Sequence, residues 1–187
     1  MKRKIAIVGP ESTGKTTLCR QLAEWFDGEW IPEAAREYIS SCKQPYTKED
    51  VENIARHQIG LEDEIEKSLN PWLFCDTNLL VIKIWMEDVF ETCPEWILKE
   101  WKDRRYDLHL LLKPDLLWEA DPIRENPDRQ EYFYKLYQNE LQNSGVLWSE
   151  ISGSGEARLQ QAIRAIQKHV QFEPVAVPEK PLHSNPD

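Results

Sequence analysis

Eight consecutive residues, Gly9-Pro10-Glu11-Ser12-Thr13-Gly14-Lys15-Thr16, satisfy the pattern G-x-x-x-x-G-K-[ST] in full. Their types suit the grip of a triphosphate. Glycines let the backbone curl until its N–H groups point inward at phosphate oxygens. A helix starting near Lys15 adds its positive dipole end. Lys15 then reaches the β- and γ-phosphates, and the hydroxyl of Thr16 is the kind of ligand that holds Mg²⁺. Thr17 is placed to bond a more distal phosphate oxygen. The expected cofactors are ATP and Mg²⁺, and the expected chemistry is phosphoryl transfer.

Three further groups sit where a parallel α/β sheet would bring side chains together. Asp76 ends the apolar run Trp72–Cys75, so its carboxylate belongs at the carboxyl edge of the sheet. There it resembles a Walker-B aspartate, a second Mg²⁺ ligand, although an N-cap or turn role also fits. Glu33 and Arg36 follow the short run Glu29–Ile31. Glu33 is placed to accept the proton of a substrate hydroxyl, a role open to Asp76 as well, and Arg36 to hold a phosphate; Glu33 and Arg36 also fit a solvated helix start. Arg124 and Arg129 lie in a charged loop, where cations closing over a moving phosphoryl group are needed to exclude water. A surface charge run is the plain alternative. Of eight tryptophans, most serve packing; Trp85 or Trp118 is a candidate to stack on a flat ring.

The elements that position these residues follow from periodicity. Lys4–Val8 reads as a buried strand, and Thr16–Phe26 as a helix with Leu18, Leu22 and Phe26 on one face. Glu29–Ile31 is a brief strand, and residues 33–41 are helical or irregular. Thr47 caps a long helix running to Leu69, with Asp50 three residues on. Trp72–Cys75 is a strand, Leu79–Phe90 a helix, and Pro94 opens another to Asp103. Leu108–Leu112 is a strand, interrupted only by His109, which reads as a core histidine. Residues 114–128, with three prolines, form a loop. Asn126-Pro127 starts a helix ended by Gly145, Val146–Trp148 is a last strand, and Leu159 to Val170 mark a final amphipathic helix. Strands alternating with helices predict an α/β fold with a parallel sheet, one domain over residues 1–170, and a disordered tail over 171–187.

Composition narrows the function classes. With 23 basic and 33 acidic residues the formal charge is −10, which argues against non-specific binding to nucleic acid or anionic membranes. No apolar run approaches the ~20 residues of a membrane span. Cys19, Cys42, Cys75 and Cys93 form no Cys-x-x-Cys pair, so neither a zinc site nor a disulfide framework is expected, and free thiols suit a reducing cytoplasm.

Taken together, several segments resemble the ribosylnicotinamide kinase domain of NadR-type NAD-salvage proteins, a P-loop family grouped with AAA-type ATPases. They are Gly9 to Leu18, Ile31-Pro32-Glu33-Ala34-Ala35-Arg36-Glu37, Cys75-Asp76-Thr77-Asn78, Tyr106 to Leu112 and Trp118 to Arg124. The likeness runs from Lys4 to about Val170. It implies a nucleoside/nucleotide-kinase-like fold, three-layered, with a five-stranded parallel sheet in the order 2-3-1-4-5. It implies ATP-dependent 5′-phosphorylation of nicotinamide riboside, a nucleoside-like small-molecule substrate. It also implies that residues 152–158 lie against adenine. The stretch Leu117-Trp118-Glu119-Ala120-Asp121 departs from the family, lacking a proline before the tryptophan and a further acidic residue before Asp121. No His-x-Gly-His-like motif is present, so adenylyl transfer is not carried over. Two other readings fit the same loop: a kinase for another nucleoside or nucleotide, and an ATP-hydrolysing regulatory module acting on a protein partner.

Overall fold

β1 (Arg3–Val8) is apolar on both faces, so it belongs in the middle of a covered sheet. Its side chains alternate with period two: Ala6 and Val8 enter one core, Ile5 and Ile7 the other. The structure, a computed structural model, describes residues 2–42, 45–119, 121, 124 and 126–170; the tail expected over 171–187 lies outside them.

The remaining elements are α1 (Lys15–Trp25), β2 (Glu29–Ile31), α2 (Ala34–Ser41), α3 (Lys48–Ile65), β3 (Trp72–Asp76), α4 (Leu79–Phe90), α5 (Glu95–Asp103), β4 (Leu108–Leu112), α6 (Gln130–Ser144), β5 (Trp148–Ile151) and α7 (Gly155–His169). The strands form one five-stranded sheet in the order β2-β3-β1-β4-β5, as expected. Every pairing is parallel. α1 and α7 cover one face with Leu18, Leu22, Ile163 and Ile166. Residues of α2 to α6 cover the other, among them Ile54, Leu80, Met86, Ile97 and Leu141. α3 is fixed to β1 by a buried ion pair, Lys4 Nζ to Glu62 Oε2 at 2.7 Å.

Three boundaries differ from the sequence reading. α3 begins with the Thr47–Asp50 capping box but ends at Ile65. The chain then tightens into i→i+3 turns at Lys67 and Ser68, and Leu69 is fully exposed with nothing to pack on. α6 starts at Gln130 rather than Asn126, whose N–H donates to the Glu11 carboxylate at 3.1 Å. β5 runs over Trp148–Ile151 rather than 146–148. As an edge strand pairing only with β4, it tolerates Ser149 and Glu150, whereas Leu147 is exposed. Residues 34–41, left open by sequence, are helical. Among the described residues no helix is long and apolar enough to cross a membrane.

Candidate active site

The loop between β1 and α1 is shaped by three positive-φ residues: Gly9 at 141°, Ser12 at 59° and Gly14 at 77°. Gly9 leaves β1 so close to β4 that a Cβ there would meet the Leu112 carbonyl oxygen at 2.8 Å. Inside the curl, the Pro10 carbonyl accepts from Thr13 Oγ1 and from Lys15 Nζ, each at 2.8 Å. α1 has no side-chain N-cap and no acidic residue in its first turn. Its leading N–H groups and dipole are therefore left for an anion.

A cavity of about 590 Å³ opens over this loop. Residues 11–17 form its floor, with Glu33, Arg36, Leu117, Glu119, Arg124 and Arg158 in its walls. Its size suits a nucleotide. The Arg124 guanidinium donates to Ser12 Oγ at 3.3 Å and to the Glu119 carbonyl at 2.5 Å. Arg36 donates to Asp121 Oδ2 at 2.9 Å. Arg158 is buried and fastens three segments: it donates to the carbonyls of Thr13, Lys113 (3.2 Å) and Gly153 (2.6 Å) and pairs with Asp115. It thereby ties the phosphate loop to the turns after β4 and β5.

A second cavity of about 440 Å³ adjoins the first. Tyr46, Trp85, Phe133 and Tyr137 give it aromatic walls, and Asp88 and Arg129 its outer polar pair. Trp85 donates its Nε1–H to the Tyr46 hydroxyl at 3.0 Å, and the rings meet edge-on at 5.0 Å. Arg129 grips both carboxylate oxygens of Asp88, Nη1 to Oδ2 at 2.9 Å, and lies over the rings of Tyr132 and Phe133. The two cavities have Glu11, Lys15 and Glu33 in common.

Asp76 sits beneath this junction at the end of β3, opposite Ile7 of β1 and 1% exposed. The Thr16 side chain lies beside it and favours its charged form. Its Oδ1 has no hydrogen-bond partner among the described residues. Burial, and then the nearby Glu33 carboxylate, push its pKa up to about 6. The N-cap of α4 is Asn78, whose Oδ1 accepts from Leu80 N–H at 3.1 Å, so Asp76 is not the cap. Glu33 occupies the N-cap position of α2, but its side chain caps nothing and faces both cavities.

The structure thus brings together Gly14, Lys15, Thr16, Thr17, Glu33, Asp76, Arg36 and Arg124, and separates Arg129 from Arg124. Arg129 lines the second cavity and Arg124 the first. Trp85 lines that cavity, whereas Trp118 borders neither. His109 is fully buried, holds Asn78 Nδ2 at 3.2 Å, and has its pKa lowered to about 4 by burial, as suits a core histidine. Sequence reasoning missed Asp88, Asp115, Tyr137 and the fastening role of Arg158.

A family model described as an AAA domain matches residues 4–158. The trifunctional NAD biosynthesis/regulator protein NadR of Escherichia coli (strain K12) is 28% identical over 137 residues, 70% of this chain and 33% of that protein. A crystal structure of NadR protein in complex with NR has a TM-score of 0.79 at 24% identity, covering 94% of this chain and 54% of that one. Deoxyadenosine kinase from M. mycoides has a TM-score of 0.63 at 12% identity, covering 90% of this chain and 100% of that one. The fold is therefore that of P-loop kinases. The chain spans about a third of the length of the NadR proteins it matches in sequence.

Proposed function

This chain belongs to the family described as an AAA domain, and from that premise we propose that it is an ATP-dependent kinase phosphorylating the 5′-hydroxyl of nicotinamide riboside. One observation carries the reading: a phosphate-loop cavity and an aromatic-walled cavity meet at Lys15 and Glu33. ATP fills the first with its γ-phosphate at the junction, and a flat-ringed nucleoside fills the second with its primary hydroxyl at the same point.

In this reading the 5′-oxygen forms a bond to the γ-phosphorus as the bond to the β,γ-bridging oxygen breaks, releasing ADP. The hydroxyl proton passes to Glu33, which faces both cavities, rather than to the enclosed Asp76. Lys15, the loop amides and Arg124 neutralise the charge on the transferred group, so positioning and electrostatics supply most of the rate. Thr16 and Asp76 offer two hard oxygen donors, and Asp76 Oδ1, without a hydrogen-bond partner among the described residues, fits a cation. Magnesium completes its shell with water and substrate phosphates, so two protein ligands suffice. Bound there, it would withdraw charge from the phosphates.

The test is ADP release with Mg-ATP and a panel of acceptors: nicotinamide riboside, uridine, deoxynucleosides, thymidine monophosphate and none. The expected result is that nicotinamide riboside alone stimulates release and nicotinamide mononucleotide accumulates. A different winning acceptor overturns the substrate, and a slow rate that no acceptor changes overturns the kinase reading.

A further inference from the structure

Positions 11 and 12 of the phosphate loop are ones that its sequence pattern leaves open, yet here each is used. Ser12 Oγ accepts the Glu119 N–H at 2.9 Å and an Arg124 N–H at 3.3 Å, both on the nucleotide side. Glu11 reaches the other way. Its carboxylate accepts the Asn126 N–H at 3.1 Å, and its carbonyl accepts from Gln130 Nε2 at 2.7 Å. Gln130 is the first residue of α6. The next turns of α6 carry Phe133 and Tyr137 into the wall of the second cavity. Arg129, at the N-cap of α6, fastens the same end to Asp88 of α4 and to Asn126 Oδ1.

We infer that Glu11 is a positioning residue that couples triphosphate binding to the shape of the acceptor cavity. When phosphate oxygens draw in the N–H groups of residues 11–14, the Glu11 backbone settles. With it settle its two bonds to Asn126 and Gln130, and hence the end of α6 that walls the second cavity. These links run directly from the phosphate loop to the first residue of α6 and to Asn126 just before it. The inference rests on the nucleotide half of the proposed function but not on the identity of the acceptor.

Amide hydrogen exchange with the non-hydrolysable analogue AMP-PNP tests it without any acceptor. Two reporters are read: peptides over α1, which sense nucleotide at the phosphate loop, and peptides over 126–137. In the wild-type chain the analogue slows exchange in both, the second by about fivefold or more, the lower end of ordinary site-to-site coupling. Glu11→Ala removes the carboxylate link, and Gln130→Ala the other without altering the loop sequence. Gln130→Ala keeps the α1 response and loses most of the response over 126–137; Glu11→Ala, a change within the phosphate loop, loses most of that response relative to its own α1 response, and Glu11→Gln, which retains an accepting oxygen, restores the ratio. A full response over 126–137 in Gln130→Ala, or none in the wild type despite protection of α1, overturns the coupling. No protection of α1 in any chain instead overturns the ATP reading.

Discussion

The carboxylate of Asp76 lies beside the side chain of Thr16, which favours its charged form, while its Oδ1 has no hydrogen-bond partner among the described residues. Such a group is costly to ionise, and its pKa is raised to about 6 from an ordinary 3.8. Between those values the folded chain holds a proton that the unfolded chain has lost, so this contribution to stability is full below about pH 4 and declines up to pH 6. Asp76→Asn removes the ionisation. We expect the ligand-free variant to match the wild type near pH 4 and to exceed it at pH 8 by on the order of 1–3 kcal/mol, about 2–4 °C per kcal/mol in Tm. Turnover should fall at least ~100-fold. Thermal melts across pH 4–8 decide this, and a pH-independent difference in Tm would refute it.

His109 works with the opposite sign. Asn78 Oδ1 is occupied by Leu80 N–H, so Asn78 Nδ2 donates to His109 Nε2 and the ring proton lies on Nδ1, which finds no hydrogen-bond partner among the described residues. Burial lowers its pKa to about 4 from 6.5. The unfolded chain binds the extra proton in that window, so stability present above pH 6.5 is lost as pH falls towards 4. His109→Gln should therefore be less stable than the wild type at pH 8, with the deficit shrinking on acidification. The two windows overlap, so the wild type should show a weaker slope between pH 4 and 6 than either variant. A His109→Gln deficit that stays constant over this range would count against the neutral buried ring.

The two loop arginines should separate kinetically. Arg124 faces the phosphate cavity, so Arg124→Ala should lower kcat by about 10²–10³-fold, as for loss of a charge-stabilising donor. Arg129 is bound to Asp88 in the other cavity. Arg129→Ala should raise the KM of the acceptor by ~10-fold or more, by leaving that carboxylate unpaired, with the KM of ATP unchanged. The Arg129 side chain is about half exposed, so its ion pair with Asp88 should contribute little to Tm. Initial rates with each substrate varied in turn would show the split, and equal effects on both KM values would deny it.

Gly9→Ala probes the close approach of β1 to β4. The residue sits at φ 141°, and an added Cβ would meet the backbone oxygen of Leu112, which has no freedom to move aside. A loss of roughly 2–4 kcal/mol is expected by denaturant unfolding, together with weakened nucleotide binding. Wild-type stability in this variant would mean that the approach is looser than the structure has it.

The phosphate loop and Asp76 were legible because what they require is local. A glycine pattern after an apolar strand, or a carboxylate ending one, states its position without knowledge of distant contacts. Asp88 was not legible. It lies in α4, an apolar helix in which the adjacent acids Glu87 and Asp88 near the end read as solvated, and its partner is 41 residues away. Asp115 and Arg158 were hidden for the same reason, being joined across 43 residues through a turn and a helix start. The edge strand β5 was misplaced because apolar runs mark strands covered on both faces, and half of β5 is Ser149 and Glu150.

Gln58 is 1% exposed in α3, and its Oε1 accepts the Ala34 N–H at 3.1 Å, fixing the start of α2 directly after Glu33. Helix starts leave such N–H groups without intrahelical partners, so the contact decides where the Glu33 backbone turns. Gln58→Ala should cost about 1–3 kcal/mol of stability and lower kcat by roughly tenfold, with ATP affinity unchanged. Glu33→Gln should lower kcat by about 10²–10⁴-fold, the range for loss of a general base. If Gln58 acts only by placing Glu33, the double variant should turn over no more slowly than Glu33→Gln alone, because a misplaced glutamine has no proton transfer left to lose. Additive losses in that cycle would show instead that Gln58 supports the site by another route.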